Sequence, residues 1–258
     1  MSKKALAVIS FGTTYPDARM AIERIENHLK QSFPDYDFYR AFTSGMVINK
    51  IQREEGIKIP NPKELMTKLL EQGYDEVLCQ SLHIMAGIEY EKMLHQLFHF
   101  EDKFKKMSIG VPMLFSQYDY EHICSELLEH MPKLKDDEAY VYMGHGTEHF
   151  ANSAYSQVET MFRFLEAERV YVGTVEGFPS LDYVLKRLRK HNIRKVTLAP
   201  FMIVAGDHAQ NDLAGDEKDS WKSILKDSGY DVQINMQGLG DLDCVCDLFC
   251  KHCHDALK

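Results

Sequence analysis

Two histidines and a glutamate in the second half of the chain, His145, Glu176 and His208, are the side chains best suited to hold a divalent metal. Two neutral imidazoles and one carboxylate make a borderline-hard donor set. It suits Co, Ni, Zn or Fe as divalent ions and is poor for Mg or Ca, which prefer shells of oxygen alone. Ligand chemistry does not choose among the first four. An imidazole, with an ordinary pKa of ~6.5, also accepts a proton near neutral pH, so one residue type serves both metal binding and proton transfer. Taken singly, a histidine near a strand end is more often a hydrogen-bonded structural residue than a ligand. Three candidate donors at equivalent edges bring the two readings level.

The elements that must position them are legible as apolar runs bounded by turn residues. Strands are predicted at 5–11, 37–42, 76–81 and 108–114, and again at 139–144, 169–173, 195–200 and 231–236. His145, Glu176 and His208 each lie just beyond one strand of the second set. In open parallel sheets ligands bind beyond the carboxyl ends of the strands, so all three fall where a site is expected. Glycines flank His145 (Gly144 and Gly146), and Gly206 lies just before His208. They allow a sharp turn and close approach of backbone to a flat ligand.

Between the strands lie helical patterns at roughly 17–31, 62–72, 89–105, 118–130, 151–167, 180–191, 221–227 and 242–257. Alternating strand and helix signals a mostly parallel sheet covered by helices, an α/β fold. The second half also repeats the first. Phe11-Gly12-Thr13 lines up with His145-Gly146-Thr147, and the segment from His83 to Glu89 lines up with that from Met202 to His208. The polar stretch from Pro132 to Glu138 marks the expected boundary, with lobes at 1–135 and 136–258 and the metal-binding residues in the second.

The 258 residues, 45% of them hydrophobic, match an ordinary globular protein. A formal charge of -9 argues against a nucleic-acid partner, whose phosphates require a basic face. No stretch approaches the ~20 apolar residues of a membrane span, and the short N-terminal apolar run ending at Gly12 reads as a strand, not a secretory signal. The cytoplasm is the expected location. The six cysteines are expected to be free thiols there. Cys246, Cys250, Cys253 and Leu257 fall on one helical stripe, and burial of that stripe is the favoured reading over a metal-holding or redox role. No Gly-x-Gly-x-x-Gly follows the first strand and no Walker loop is present, which leaves a nucleotide-dependent enzyme without support.

The segments Ser10-Phe11-Gly12-Thr13, Arg40-Ala41-Phe42-Thr43-Ser44-Gly45-Met46, Gln80-Ser81-Leu82-His83-Ile84, Met143-Gly144-His145-Gly146 and Val175-Glu176 carry a further signal, as does the long run from Val204 to Asp212. In that order, over essentially the whole chain, they resemble the anaerobic sirohydrochlorin cobaltochelatases of cobalamin synthesis, the CbiK-type branch of the class II chelatases. The resemblance implies two similar Rossmann-like lobes with the active-site cleft between them. It implies insertion of a divalent metal into a sirohydrochlorin-type tetrapyrrole or precorrin-2 without ATP, and the same His145, Glu176 and His208 at the metal. Co2+ is then the expected substrate metal, with Fe2+, Ni2+ or Zn2+ as alternatives, and no cofactor is expected to be permanently bound.

Sirohydrochlorin carries several carboxylates, so anion donors are needed. Backbone N–H groups at Phe11, Gly12 and Thr13 and the guanidinium of Arg40 are candidates, although such an Arg pairs with a neighbouring acid about as often. His83 and Glu89, at the corresponding edge of the first lobe, are secondary candidates for the other face of the macrocycle. Iron or nickel insertion, metal removal from a porphyrin, and a non-catalytic tetrapyrrole or metal carrier remain the alternatives. A homo-oligomer is compatible with all of them.

Overall fold

The computed structural model describes residues 2–258. Eight strands and nine α-helices occur among the described residues, and the chain divides into two compact units, residues 1–115 with 242–258 and residues 116–241.

The first unit is built on β1 (Lys4–Ser10), β2 (Asp37–Phe42), β3 (Glu76–Ser81) and β4 (Lys106–Gly110), all parallel, in the order β2-β1-β3-β4. α1 (Pro16–Ser32), α2 (Gly45–Glu55), α3 (Pro62–Glu71) and α4 (Ile88–Phe98) connect them. Residues 5–9 of β1 are all buried, the continuous apolar run of a strand covered on both faces. Its core gathers Ala7, Ile9, Leu65, Leu69, Met93 and Leu97.

The second unit repeats this plan. β5 (Glu138–Gly146), β6 (Val170–Glu176), β7 (Lys195–Pro200) and β8 (Asp231–Ile234) run parallel in the order β6-β5-β7-β8. Its helices are α5 (Gln117–His130), α6 (Ser153–Phe164), α7 (Leu181–Lys190) and α8 (Trp221–Asp227). Its core packs Val141, Tyr171, Val184, Leu198 and Leu225 around Trp221. Gly173 is needed there, because a Cβ at that position would stand 2.7 Å from the indole of Trp221.

The repeat extends to individual hydrogen bonds. Gly12 and Gly146 both take left-handed backbone, at φ 90 and φ 84, where β1 and β5 give way to the following loops. One residue on, the Thr13 hydroxyl accepts from Tyr15 N–H at 3.2 Å and the Thr147 hydroxyl from His149 N–H at 3.1 Å. Leu82 N–H donates to the Ile9 carbonyl, and Phe201 N–H to that of Met143, both at 2.8 Å.

Several elements depart from expectation. α2 lay outside the predicted helices, although Ser44 caps it by accepting from Val47 N–H and Gly56 ends it in left-handed backbone at φ 69. β4 closes at Gly110, short of the predicted 114, since Pro112 cannot donate to the ladder. α4 stops at Phe98 rather than 105.

The units also differ from the expected lobes at 1–135 and 136–258. α5 packs on α6 and so counts with the second unit, while α9 (Asp243–Leu257) packs on α1, β3 and β4 and counts with the first. Among the described residues no helix is long and apolar enough to cross a membrane.

Candidate metal centre

The three predicted donors meet at one edge of the second unit's sheet. β5 carries His145 as its penultimate residue, β6 ends on Glu176, and His208 lies in the connection after β7. The imidazoles of His145 and His208 stand edge to face, with centroids 4.3 Å apart and planes at 84°. A carboxylate oxygen of Glu176 lies 3.9 Å from His145 Nδ1.

Backbone geometry forces the strand ends together. Gly146 pairs with Glu176 in the β5–β6 register, and a Cβ on Gly146 would fall 1.8 Å from the Glu176 carbonyl oxygen. Only glycine fits, both for that distance and for its positive φ. The phenol of Tyr155, buried in α6, accepts from Gly146 N–H at 3.4 Å and supports the turn from below. Burial raises its pKa to about 12, so it remains a neutral hydroxyl.

The hydrogen bonds define which imidazole nitrogens are available. His145 Nδ1 lies 2.8 Å from the Gly146 carbonyl, which can only accept, so Nδ1 carries a proton and the neutral ring keeps its lone pair on Nε2. His208 Nδ1 lies 2.6 Å from an Asp212 carboxylate oxygen, so it too donates, and Nε2 is the nitrogen that could hold a metal. Metal-binding histidines characteristically hold their second nitrogen against a carboxylate or a carbonyl in this way. Asp212 is the residue that sequence reasoning missed, although the motif containing it was noticed. Its position four residues after His208 was the available signal. A π-helical turn over Ala209–Leu213 brings it into reach.

Among the described residues, no three His, Cys, Asp or Glu side chains are already closed around one point. The triad is gathered, with Glu176 beside His145 Nδ1 and its side chain 63% exposed, leaving it room to rotate toward an ion.

The remaining predicted residues belong to the first unit. Phe11 is exposed beyond β1, Gly12 makes the left-handed turn against the Phe42 ring, and Thr13 is buried. Asp17 occupies the first turn of α1, the helix that follows this loop. Arg40 bonds the buried Glu26 through Nε at 2.7 Å and reaches Glu23 at 3.2 Å. Its engagement with these acids ties β2 to α1 and argues against the expected contact with a substrate carboxylate.

His83 Nδ1 bonds the Ser81 hydroxyl at 2.8 Å, while Nε2 is buried with no hydrogen-bond partner. Desolvation lowers its pKa to about 4, against the opposing pull of Glu89. Glu89 lies in the first turn of α4 and pairs with Lys92 at 2.8 Å.

The repeat explains why the donors sit in one unit. Ser10 pairs with Phe42 as Gly144 pairs with Thr174, so the counterparts of His145, Glu176 and His208 are Phe11, Ser44 and Glu89. An aromatic ring, a helix-capping hydroxyl and one carboxylate are not a transition-metal set.

The two like parallel α/β units place the chain in a known fold class. SirB from Bacillus subtilis, solved with Fe3+, superposes with a TM-score of 0.69 at 11% identity, covering 98% of this chain and 95% of that one. CbiX, the terminal enzyme of siroheme biosynthesis in denitrifying bacteria, superposes with a TM-score of 0.57 at 15% identity, covering 98% and 100%. At these identities the likeness concerns the fold. The sequence is more specific. The sirohydrochlorin cobaltochelatase of Salmonella typhimurium is 42% identical over 259 residues, 99% of this chain and 97% of its own. The sirohydrochlorin cobaltochelatase CbiKC of Nitratidesulfovibrio vulgaris is 30% identical over 255 residues, covering 98% and 90%. The cobalt chelatase (CbiK) family matches residues 4–258, and the chain belongs to that family.

Proposed function

We propose that this chain inserts Co2+ into sirohydrochlorin without ATP, a nitrogen–metal bond-forming step of anaerobic cobalamin synthesis, with His145, Glu176 and His208 receiving the ion. The observation that carries the site assignment is the pairing of His145 and His208 at one sheet edge. Each has Nδ1 committed to an oxygen acceptor, which makes Nε2 the nitrogen that can face an ion.

Insertion exchanges the two pyrrole N–H protons of the macrocycle for one Co2+, so two protons must leave. His208, backed by Asp212, retains the ion as its waters are replaced by ring nitrogens; His145 Nε2, once released by the ion, is the base that takes the two pyrrole protons one after the other and hands each on before the next. Glu176 offsets part of the ion's charge and, being exposed, passes protons to water. The metal is a substrate, and an open donor set releases it more readily than a closed cage would.

The test is the visible spectrum of metal-free sirohydrochlorin mixed with the purified protein and Co2+, Fe2+, Ni2+ or Zn2+ in turn, without ATP. Multiple turnovers with Co2+ are expected. Stoichiometric binding of tetrapyrrole with no turnover for any ion would identify a carrier instead.

A further inference from the structure

Glu176 and His145 sit on separate strand ends, and a side chain outside the triad joins the loops that follow them. The Oδ1 of Asn152 accepts from Thr147 N–H at 3.0 Å, two residues beyond His145. Its Nδ2 donates to the Phe178 carbonyl at 2.5 Å, two residues beyond Glu176. The intervening Gly177 has φ 127, and a Cβ there would stand 3.1 Å from Asn152 Oδ1 and 3.2 Å from the Thr147 carbonyl. The two loops and the amide are therefore packed to the limit that a glycine allows.

We propose that Asn152 is a positioning residue for metal uptake, holding the His145 loop against the Glu176 loop and so fixing the spacing of two donors. The inference rests on the reading of His145, Glu176 and His208 as the metal site. The amide is matched to its place because one partner is a donor and the other an acceptor, and a carboxamide presents both complements in one plane without depending on pH. The Glu176 side chain is 63% exposed and free to turn, so a clamp on its loop acts by fixing the backbone from which it reaches the ion. The far side of the Glu176 loop is secured independently, with the Pro179 carbonyl accepting from Thr174 N–H at 2.6 Å and from the Thr174 hydroxyl at 3.0 Å. Asn152 supplies the cross-link toward His145. Residues that orient metal ligands from behind typically contribute 10–100-fold in affinity or activity.

The experiment measures binding of Co2+ alone to the full-length protein, by titration of its visible absorption, together with binding of metal-free sirohydrochlorin. Asn152→Ala is expected to weaken Co2+ binding by about 10-fold or more and to leave tetrapyrrole affinity unchanged. Asn152→Asp is expected to do the same, because it keeps the acceptor for Thr147 but turns an oxygen toward the Phe178 carbonyl. Leu188→Ala, which opens a cavity in the same unit's core near the C-terminal end of α7, serves as a control for lost stability and should bind Co2+ as the parent does. Wild-type Co2+ affinity in Asn152→Ala, with His145→Ala and His208→Ala both impaired, would overturn the clamp and leave the metal site standing. Equal loss in Asn152→Ala and Leu188→Ala would also overturn it, as a general stability effect. Wild-type Co2+ affinity in His145→Ala and His208→Ala would remove the metal-site reading and the clamp with it.

Discussion

A carboxylate four residues beyond a histidine does two things on a helical turn: it fixes the ring's rotation and it sets the tautomer. Asp212 does both for His208 at 2.6 Å, and the Gly146 carbonyl does the second for His145. Asp212→Asn keeps the size of the side chain but removes its charge, which weakens the polarisation of the imidazole. The expected result is a Co2+ KM raised by about 10-fold or more with little change in the KM for sirohydrochlorin, read from initial rates over a range of each substrate. His208→Ala should be partly rescued by excess Co2+, whereas His145→Ala should be inactive at every metal concentration because the proton acceptor is gone, with its circular dichroism unchanged. Unaltered Co2+ dependence in Asp212→Asn would show that His208 does not need its carboxylate. At this scale the sequence was informative about donor types and silent about partners. His145, Glu176 and His208 announce themselves by chemistry and by position after strands. Asp212 and Asn152 matter only through contacts that depend on a π-helical turn and on the meeting of loops 26 residues apart.

At the scale of elements, strands were the more legible because buried parallel strands are short apolar runs with sharp ends. β2, β3 and β7 fall where the pattern put them. α2 was missed despite its Ser44 cap and Gly56 terminator, since only Ile51 on it is buried and its apolar stripe is short. The turn after β3 shows how one element can be reused with different chemistry. After β7 the chain delivers His208 to an open edge, but after β3 it turns His83 inward, with Nδ1 on Ser81 and Nε2 buried. Burial depresses the pKa of His83 from 6.5 to about 4, so the unfolded chain binds this proton at a higher pH than the folded one does. Stability therefore rises with pH across that interval: no penalty remains above pH 6.5, and the penalty grows as pH falls from 6.5 toward 4. His83→Gln, which cannot titrate, should lose less stability than the wild type between pH 7.5 and 4.5, by about 1–3 kcal/mol, in urea denaturation. Parallel pH profiles for the two proteins would mean that His83 is solvated in the folded state.

At the scale of the molecule, the most consequential difference from the sequence reading is the ownership of two helices. α5 follows the last strand of the first unit yet packs on α6, and α9 follows the last strand of the second unit yet packs on α1. Because α6 repeats α1, these are the same contact made twice, with each unit covered by the helix that follows the other's sheet. Helical periodicity reveals that a helix has an apolar face, but it carries no information about which sheet that face will cover. The predicted cysteine stripe is the example. Cys246, Cys250 and Cys253 are buried as expected and Leu257 is half-buried, but the stripe lies against the first unit, where Cys253 Sγ meets Gln80 Oε1 at 3.2 Å and Cys250 Sγ meets the Ser32 hydroxyl at 3.3 Å. The two units therefore stand differently toward truncation. Residues 116–241 are one continuous segment with a complete sheet, its helices and the proposed metal donors. Residues 1–115 lack α9, whose Val245, Leu248 and Phe249 are essentially fully buried. Each such side chain is worth roughly 1.5–3 kcal/mol when buried, and a domain has only about 5–15 kcal/mol of net stability to lose. The fragment 116–241 is thus expected to unfold cooperatively and to bind Co2+ through His145 and His208, while the fragment 1–115 should show no cooperative transition until a peptide spanning 242–258 is added. Circular dichroism melts of the two fragments, with and without the peptide, decide it. A cooperative melt of 1–115 alone would show that α9 is an accessory to the first unit and not part of its core.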